Sequence, residues 1–312
     1  MRAFPTISVL IPCRNAAPYL EEALASVARQ DWPNLDVVLV DDGSTDGSPD
    51  IAAAWPRVRV LTGAASGAGA ARNAALRAAC GDYVIFFDAD DVMGPGHLSA
   101  LFDAASPVRG AIGMAQWARF RGAPSSALFP QRTTYWDAPG IDWLIADWAD
   151  GLPMTQPGMF LIPRTLLDAV GGWDERLSLN DDFEFFCRLL SRSAGVRFAP
   201  AAQLHYRAGL PGSLSQRGDE RALRSALSAA ILGTGHVLAA EDSPRTRRAA
   251  ANIVRGFDYN YYPVAPHLRR RARAHAAALG GADAIPVGPP LFHRLRRVFG
   301  WRLARRMEHA LL

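Results

Sequence analysis

Residues 83–91 read Tyr-Val-Ile-Phe-Phe-Asp-Ala-Asp-Asp: five aromatic or aliphatic side chains that run straight into three carboxylates. A short, unbroken apolar run of this kind predicts a strand buried on both faces, here Tyr83–Phe87, with its polar groups gathered at the carboxyl end. The pattern recurs upstream. Ile7–Ile11 (ISVLI) stops at Pro12–Asn15, Asp36–Val40 (DVVLV) stops at the turn-rich Asp41–Ser48, and Val58–Leu61 supplies a third apolar run. Between them lie helical stretches. Leu20, Ala23, Leu24 and Val27 share one face of Tyr19–Gln30, and Ala68–Cys80 is rich in alanine. Strands alternating with helices predict a doubly wound, mostly parallel α/β sheet. Ligands of such sheets sit beyond the carboxyl ends of the strands, so Pro12–Asn15, Asp41–Ser44 and Asp88–Asp91 should meet along one edge.

The rest of the chain sets bounds on this reading. With 49% apolar residues among 312 it can bury a large core, and disorder is excluded. No window reaches the roughly 18 uninterrupted apolar residues of a membrane span. The first apolar run ends at Pro12, so no signal peptide is expected. Cys13, Cys80 and Cys187 are too few and too scattered for a disulfide framework or a CxxC metal site, which fits a reducing cytoplasm. All 34 basic residues are arginine, so chemistry that needs a lysine, such as a P-loop or a Schiff base, is impossible. Charge is uneven: residues 1–216 carry 17 arginines against 23 acids, and residues 217–312 carry 17 against 7.

Three motifs carry chemistry. Asp88-Ala89-Asp90 places two carboxylates at a strand end, where they can share a hard divalent cation. Asp91, ahead of Pro95, is expected to cap the helix that follows. Asp41-Asp42-Gly43-Ser44-Thr45-Asp46-Gly47 is a tight turn whose aspartates can accept hydrogen bonds from a base or ribose, although such turns are common. Asn180-Asp181-Asp182-Phe183-Glu184 opens a helix, and its acids can cap that helix or serve as a general base. Residues 106–160, where Trp117, Trp136, Trp143 and Trp148 fall among prolines and glycines, read as short strands under a loop-rich cover.

Taken in order, these segments resemble family 2 glycosyltransferases of the GT-A fold. The likeness runs over about residues 5–216. It rests on Ile7–Asn15, on Tyr19–Leu24 with Ser26, Val27 and Gln30, on Val40–Ser48, on Ala70–Ala74 with Gly81–Tyr83, and on Asp88–Asp90. Gly171–Glu175, Asp181-Asp182 and Arg188-Leu189 complete it. The resemblance implies a catalytic domain over 1–216, with a nucleotide-binding half to 105 and an acceptor half from 106. It implies a donor site of Pro12, Cys13, Arg14, Asp41, Asp42, Arg72, Asp88, Ala89 and Asp90. In that site Asp42 would meet the nucleobase, Pro12–Arg14 would wall it, and Asp88 would contact ribose or the metal shell. Asp90 would ligate Mn²⁺ or Mg²⁺. Asp182, beside Asp181, would be the base that deprotonates the acceptor. The implied activity is inverting, metal-dependent transfer from a nucleotide-sugar to a saccharide or lipid-linked saccharide of a surface polysaccharide.

Three positions depart from the family pattern: Arg14 stands where Tyr is frequent, Asp181 replaces Glu, and no His follows Tyr206-Arg207. His205 precedes that pair, as a packing residue or a metal contact. Two other readings are a sugar-nucleotide-binding protein without catalysis and a haloacid-dehalogenase-type phosphatase using Asp88 and Asp90. From about Asp219 the pattern is helical to the end, with breaks near Ser243, Pro263 and Gly280–Pro290. In 289–312, Leu291, Leu295, Val298, Phe299, Leu303, Met307 and Leu311 form an apolar stripe opposite Arg294, Arg297 and Arg305. Such a helix either packs on the domain or lies peripherally on the inner face of the membrane. No nucleic-acid motif appears.

Overall fold

The computed structural model describes residues 4–149, 151, 153–210 and 218–311, with side chains through residue 307. Its first half alternates as expected: β1 (Ile7–Cys13), α1 (Ala17–Ala28), β2 (Leu35–Asp41), α2 (Ser48–Ala53), β3 (Val58–Thr62), α3 (Ala68–Ala78) and β4 (Tyr83–Phe86). β5 (Val92–Met93), α4 (His97–Ala105), β6 (Ile112–Phe120), α5 (Gly140–Trp148), β7 (Phe160–Pro163), α6 (Arg164–Val170), α7 (Asp181–Leu190) and β8 (Val196–Arg207) follow. The eight strands form one sheet in the order β3-β2-β1-β4-β7-β6-β8-β5. From β3 to β4 every pairing is parallel, whereas β7 and β5 run antiparallel to their neighbours. The sheet is therefore mixed, and parallel where the Pro12–Asn15, Asp41–Ser48 and Asp88–Asp91 loops emerge. Cys13 pairs with Asp41 and Leu10 with Phe86, so the ends of β1, β2 and β4 reach the same edge.

Residues 106–160 hold more regular structure than their composition foretells. Trp117 lies in the nine-residue β6, and Trp143 and Trp148 anchor α5 in the core. Trp136, by contrast, lies outside any helix or strand, as expected. Asp91 caps no helix. Gly96 holds the position ahead of α4 in a left-handed conformation, and the Asp91 carboxylate instead accepts the backbone N–H of Arg207 at 2.9 Å. Asn180 precedes α7 with φ 59° but makes no side-chain cap.

Four helices complete the chain: α8 (Glu220–Ala240), capped by Asp219, α9 (Pro244–Asn260), capped by Ser243, α10 (Pro266–Ala278) and α11 (Pro290–Leu311). By length and composition α8 is the one described helix that could cross a membrane, but half of that window is buried inside the protein. It docks on α7. The Ser225 hydroxyl accepts the N–H groups of Ser178 and Leu179 at 2.7 and 3.0 Å. At Gly233 a Cβ would sit 2.8 Å from the Phe183 ring, so only glycine permits this approach. The boundary expected at 216/217 and the residues Pro211–Ser213 lie outside the described residues.

The stripe expected along α11 is broken. Gly300, at φ 74° and ψ 158°, splits the element into two helical pieces, so the apolar residues no longer share one line. The inward side is made by Phe292, Trp301 and Ala304. Trp301 packs edge-on against Tyr259 and Tyr262. Arg305 faces inward as well, stacking over Phe292 and donating to the Val287 carbonyl at 2.6 Å. Leu291, Val298, Phe299 and Leu303 stay exposed.

Candidate active site

At the carboxyl ends of β1 and β2 two turns are laced together. Asn15, in the left-handed region at φ 52°, donates its N–H to Ser44 Oγ (2.9 Å), and its side-chain oxygen accepts Thr45 N–H (2.8 Å). Ala16 N–H reaches Ser48 Oγ, and Asp42 N–H reaches the Cys13 carbonyl. Asp42 is buried and turned inward. Its two oxygens accept the N–H groups of Ser66 at 3.0 Å and Gly67 at 2.8 Å, fixing the loop that leads into α3. Asp41 closes its own turn on Ser44 N–H. Cys13 is buried, and burial pushes its thiol up to about 11, so it acts as packing and not as a thiolate. Pro12 is half-buried beside it, and Arg14 extends into solvent.

α3 then supplies a side chain that joins two distant acidic segments. Arg72, 7% exposed, donates to Asp88 at 2.8 Å and to Asp181 at 3.1 Å, and its guanidinium lies 4.3 Å above the Trp173 ring. The next residue, Asn73, holds the 171–175 loop in place. It accepts Trp173 N–H at 2.8 Å and donates to the Trp173 carbonyl and Glu175 at 2.9 and 2.8 Å. A Cβ at Gly172 would fall 2.3 Å from Asn73 Oδ1, which is why a glycine is needed there. Arg188 grips the same loop from the other side through the carbonyls of Val170 and Gly172, while Glu184 receives it at 2.7 and 3.1 Å.

Electrostatics mark three acids: burial, then the Asp90 and Asp88 charges, holds Asp91 well above the usual carboxylate range, and Asp90 and Asp182 are raised as well. Burial, then the neighbouring Asp88 charge, raises Asp90 to about 6. Burial and the Asp181 charge raise Asp182 to about 7, with Arg72 pulling the other way. Asp182 Oδ1 accepts the Phe183 N–H at 2.9 Å. Asp88 and Asp90 suit a hard cation as donors, because crowded carboxylates are relieved by positive charge. One Asp88 oxygen is taken by Arg72. Among the described residues no three His, Cys, Asp or Glu side chains are grouped to hold a metal by themselves. A cation here would draw its remaining ligands from phosphate and water. His205 is engaged elsewhere: Nδ1 faces the Pro124 carbonyl at 3.1 Å and the ring packs on Phe129.

A family model described as glycosyl transferase family 2 matches residues 8–171. The chain belongs to that family. An uncharacterized glycosyltransferase of Escherichia coli K12, YibD, is 38% identical over 109 residues, covering 34% of this chain and 32% of that protein. A putative teichuronic acid biosynthesis glycosyltransferase of Bacillus subtilis, TuaG, is 41% identical over 92 residues, covering 28% and 36%. The matched part thus spans about a third of the length of these curated relatives. The GT-A fold is shared with S. aureus TarS 1-349, solved in complex with UDP-GlcNAc, at a TM-score of 0.69 and 18% identity. That superposition covers 98% of this chain and 92% of the other.

Within this family 2 domain, one residue escapes a reading by motif. Arg207 donates Nε to the Asp90 carbonyl at 2.7 Å, pairs with Glu22 and lies 4.5 Å over Phe120. It anchors the backbone of the acidic loop to β8 and α1. The signal in the sequence that locates it is the Tyr206-Arg207 pair.

Proposed function

We propose that this chain is an inverting, divalent-metal-dependent glycosyltransferase acting on a nucleotide-sugar. The observation that carries the reading is the Arg72 bridge, in which one buried guanidinium ties Asp88 of the donor edge to Asp181 of the acceptor half. In this reading the base lies against Pro12–Arg14 near Asp41 and Asp42, and Ala89 lets the backbone approach the nucleotide. Asp90, with Asp88, would hold Mn²⁺ or Mg²⁺, which when bound neutralises charge on the diphosphate. Arg72 adds a fixed positive charge beside the same group.

Asp182 takes the proton of the acceptor hydroxyl. The freed oxygen lone pair forms the new bond to the anomeric carbon from the face opposite the diphosphate. The old carbon–oxygen bond breaks with its electrons leaving on the nucleoside diphosphate, so configuration inverts. The UDP-GlcNAc bound by TarS makes uridine the first base to try, and the teichuronic acid name of TuaG favours a surface-polysaccharide acceptor. Three free cysteines fit a cytoplasmic enzyme, working peripherally at the inner membrane face on a saccharide or lipid-linked saccharide.

Release of nucleoside diphosphate from a panel of nucleotide-sugars, with acceptor and Mn²⁺, tests the proposal. Asp182→Asn should lose turnover and keep nucleotide binding. A variant with full turnover would remove Asp182 from the mechanism, and a wild type that binds but never turns over would favour the non-catalytic binding reading. Family membership sets the phosphatase alternative aside.

A further inference from the structure

We propose that the outward face of α11 is a docking surface for an anionic lipid bilayer. Leu291, Val298, Phe299 and Leu303 are 46, 74, 52 and 45% exposed, although each is large and apolar. They are not spare core residues, because the inward positions of the same element are taken by buried Phe292 and Ala304 and by half-buried Trp301, which packs on Tyr259 and Tyr262. The break at Gly300 divides them, with Leu291, Val298 and Phe299 before it and Leu303 after it. Val264, two residues beyond the Tyr262 on which Trp301 packs, adds a further exposed apolar group at 52%.

Charge selects the occupant. Between residues 284 and 307 the chain has six arginines and no acid. Of these, Arg294, Arg297, Arg302 and Arg306 are exposed alongside the apolar residues. The guanidiniums of Arg302 and Arg306 lie 5.3 and 5.7 Å from the Trp301 and Tyr262 rings, while both residues stay exposed. None of the four has an ion-pair partner among the described residues. Apolar side chains standing among guanidiniums suit a headgroup layer of negative charge above acyl chains. A second copy of the same face fits poorly, since a twofold contact would set like charges against one another. The inference rests on the reading above only for the location of the acceptor; the lipid contact stands on its own.

Flotation of the full chain with vesicles tests it. Vesicles of phosphatidylcholine are compared with vesicles that also contain phosphatidylglycerol, at low and high salt. Binding should require the anionic lipid and weaken with salt. Val298→Ser, Phe299→Ser and Leu303→Ser combined should weaken it at least about tenfold, and so should Arg294→Gln, Arg297→Gln, Arg302→Gln and Arg306→Gln combined. All seven positions are exposed, so both variants should keep the wild-type melting temperature and any nucleotide-dependent rise in it. That control separates a failure of the lipid contact from a failure of the catalytic reading. Equal binding by wild type and either variant, or no binding to anionic vesicles, would overturn the proposal. A wild-type dimer that the serine variant converts to monomer, without vesicle binding, would assign the face to self-association and overturn it as well.

Discussion

At the scale of single residues, Asp182 is the group on which chemistry and stability pull in opposite directions. Its folded-state value of about 7 lies above the roughly 3.9 of an unfolded aspartate, so the native state holds its proton longer. Stability from this group is therefore full below about 3.9 and is lost as pH rises through about 7. The proposed role as base needs the ionised form. Hence kcat/KM should fall about tenfold per pH unit on the acid side of about 7. Asp182→Asn should lower kcat by about 10² to 10⁴ while raising the melting temperature at pH 8 by about 2 °C or more. A variant that loses activity and melts lower would contradict this account. Arg72 is read by the same titration. Its charge holds the Asp182 value down, so Arg72→Gln should move the acid limb of the pH profile to higher pH and cut kcat/KM at least about tenfold. An unshifted limb would mean that Arg72 serves only to hold the loops.

At the scale of elements, the C-terminal helices have their own electrostatic pin. Asp258 on α9 is fully buried and receives Arg269 and Arg273 of α10, each at 2.9 Å. Asp258→Asn would leave the buried Arg269 without its counter-charge, so urea denaturation should show a loss of about 3–5 kcal/mol. A loss below about 1 kcal/mol would show that the pair does not join the helices. The elements differ in how far the sequence announces them. β1, β2 and β4 were legible because burial on both faces demands continuous apolar runs, and the ends of those runs placed Asp41, Asp42, Asp88 and Asp90 along one edge. β6 was not, since Ile112–Phe120 carries Gln116 and Arg119 and its pairing with β8 shifts register after Ala115. Arg207 was hidden for a different reason. Its partners Glu22 and Asp90 are 185 and 117 residues away, a meeting that only the tertiary fold creates. On α11 an unbroken helical periodicity would put Arg305 on the polar side, and the kink at Gly300 turns it to the packed side.

At the scale of the whole molecule, the acidic first part and the basic last part meet across α7. The helix bearing Asp181 and Asp182 carries Glu184 on the same stretch, and Glu184 accepts Arg188 and faces His236 of α8 at 3.0 Å. The C-terminal helices therefore brace the proposed catalytic helix. A chain ending at residue 216 would expose Phe183, Cys187 and Leu179, and it should show early proteolysis within 174–190 and a lower melting temperature than the full chain. A fragment as resistant as the full chain would show that the two parts fold independently. In the proposed reaction a metal and a nucleotide meet at the acidic edge. The measurement that tests it most directly is the melting temperature of the full chain against nucleoside diphosphates and nucleotide-sugars, with and without Mn²⁺. A ligand that binds only the folded state raises the melting temperature by mass action. At least one nucleotide should raise it only when metal is present, and Asp90→Ala should abolish the rise. A rise that survives Asp90→Ala, or no rise with any nucleotide under any metal, would contradict the proposed reaction.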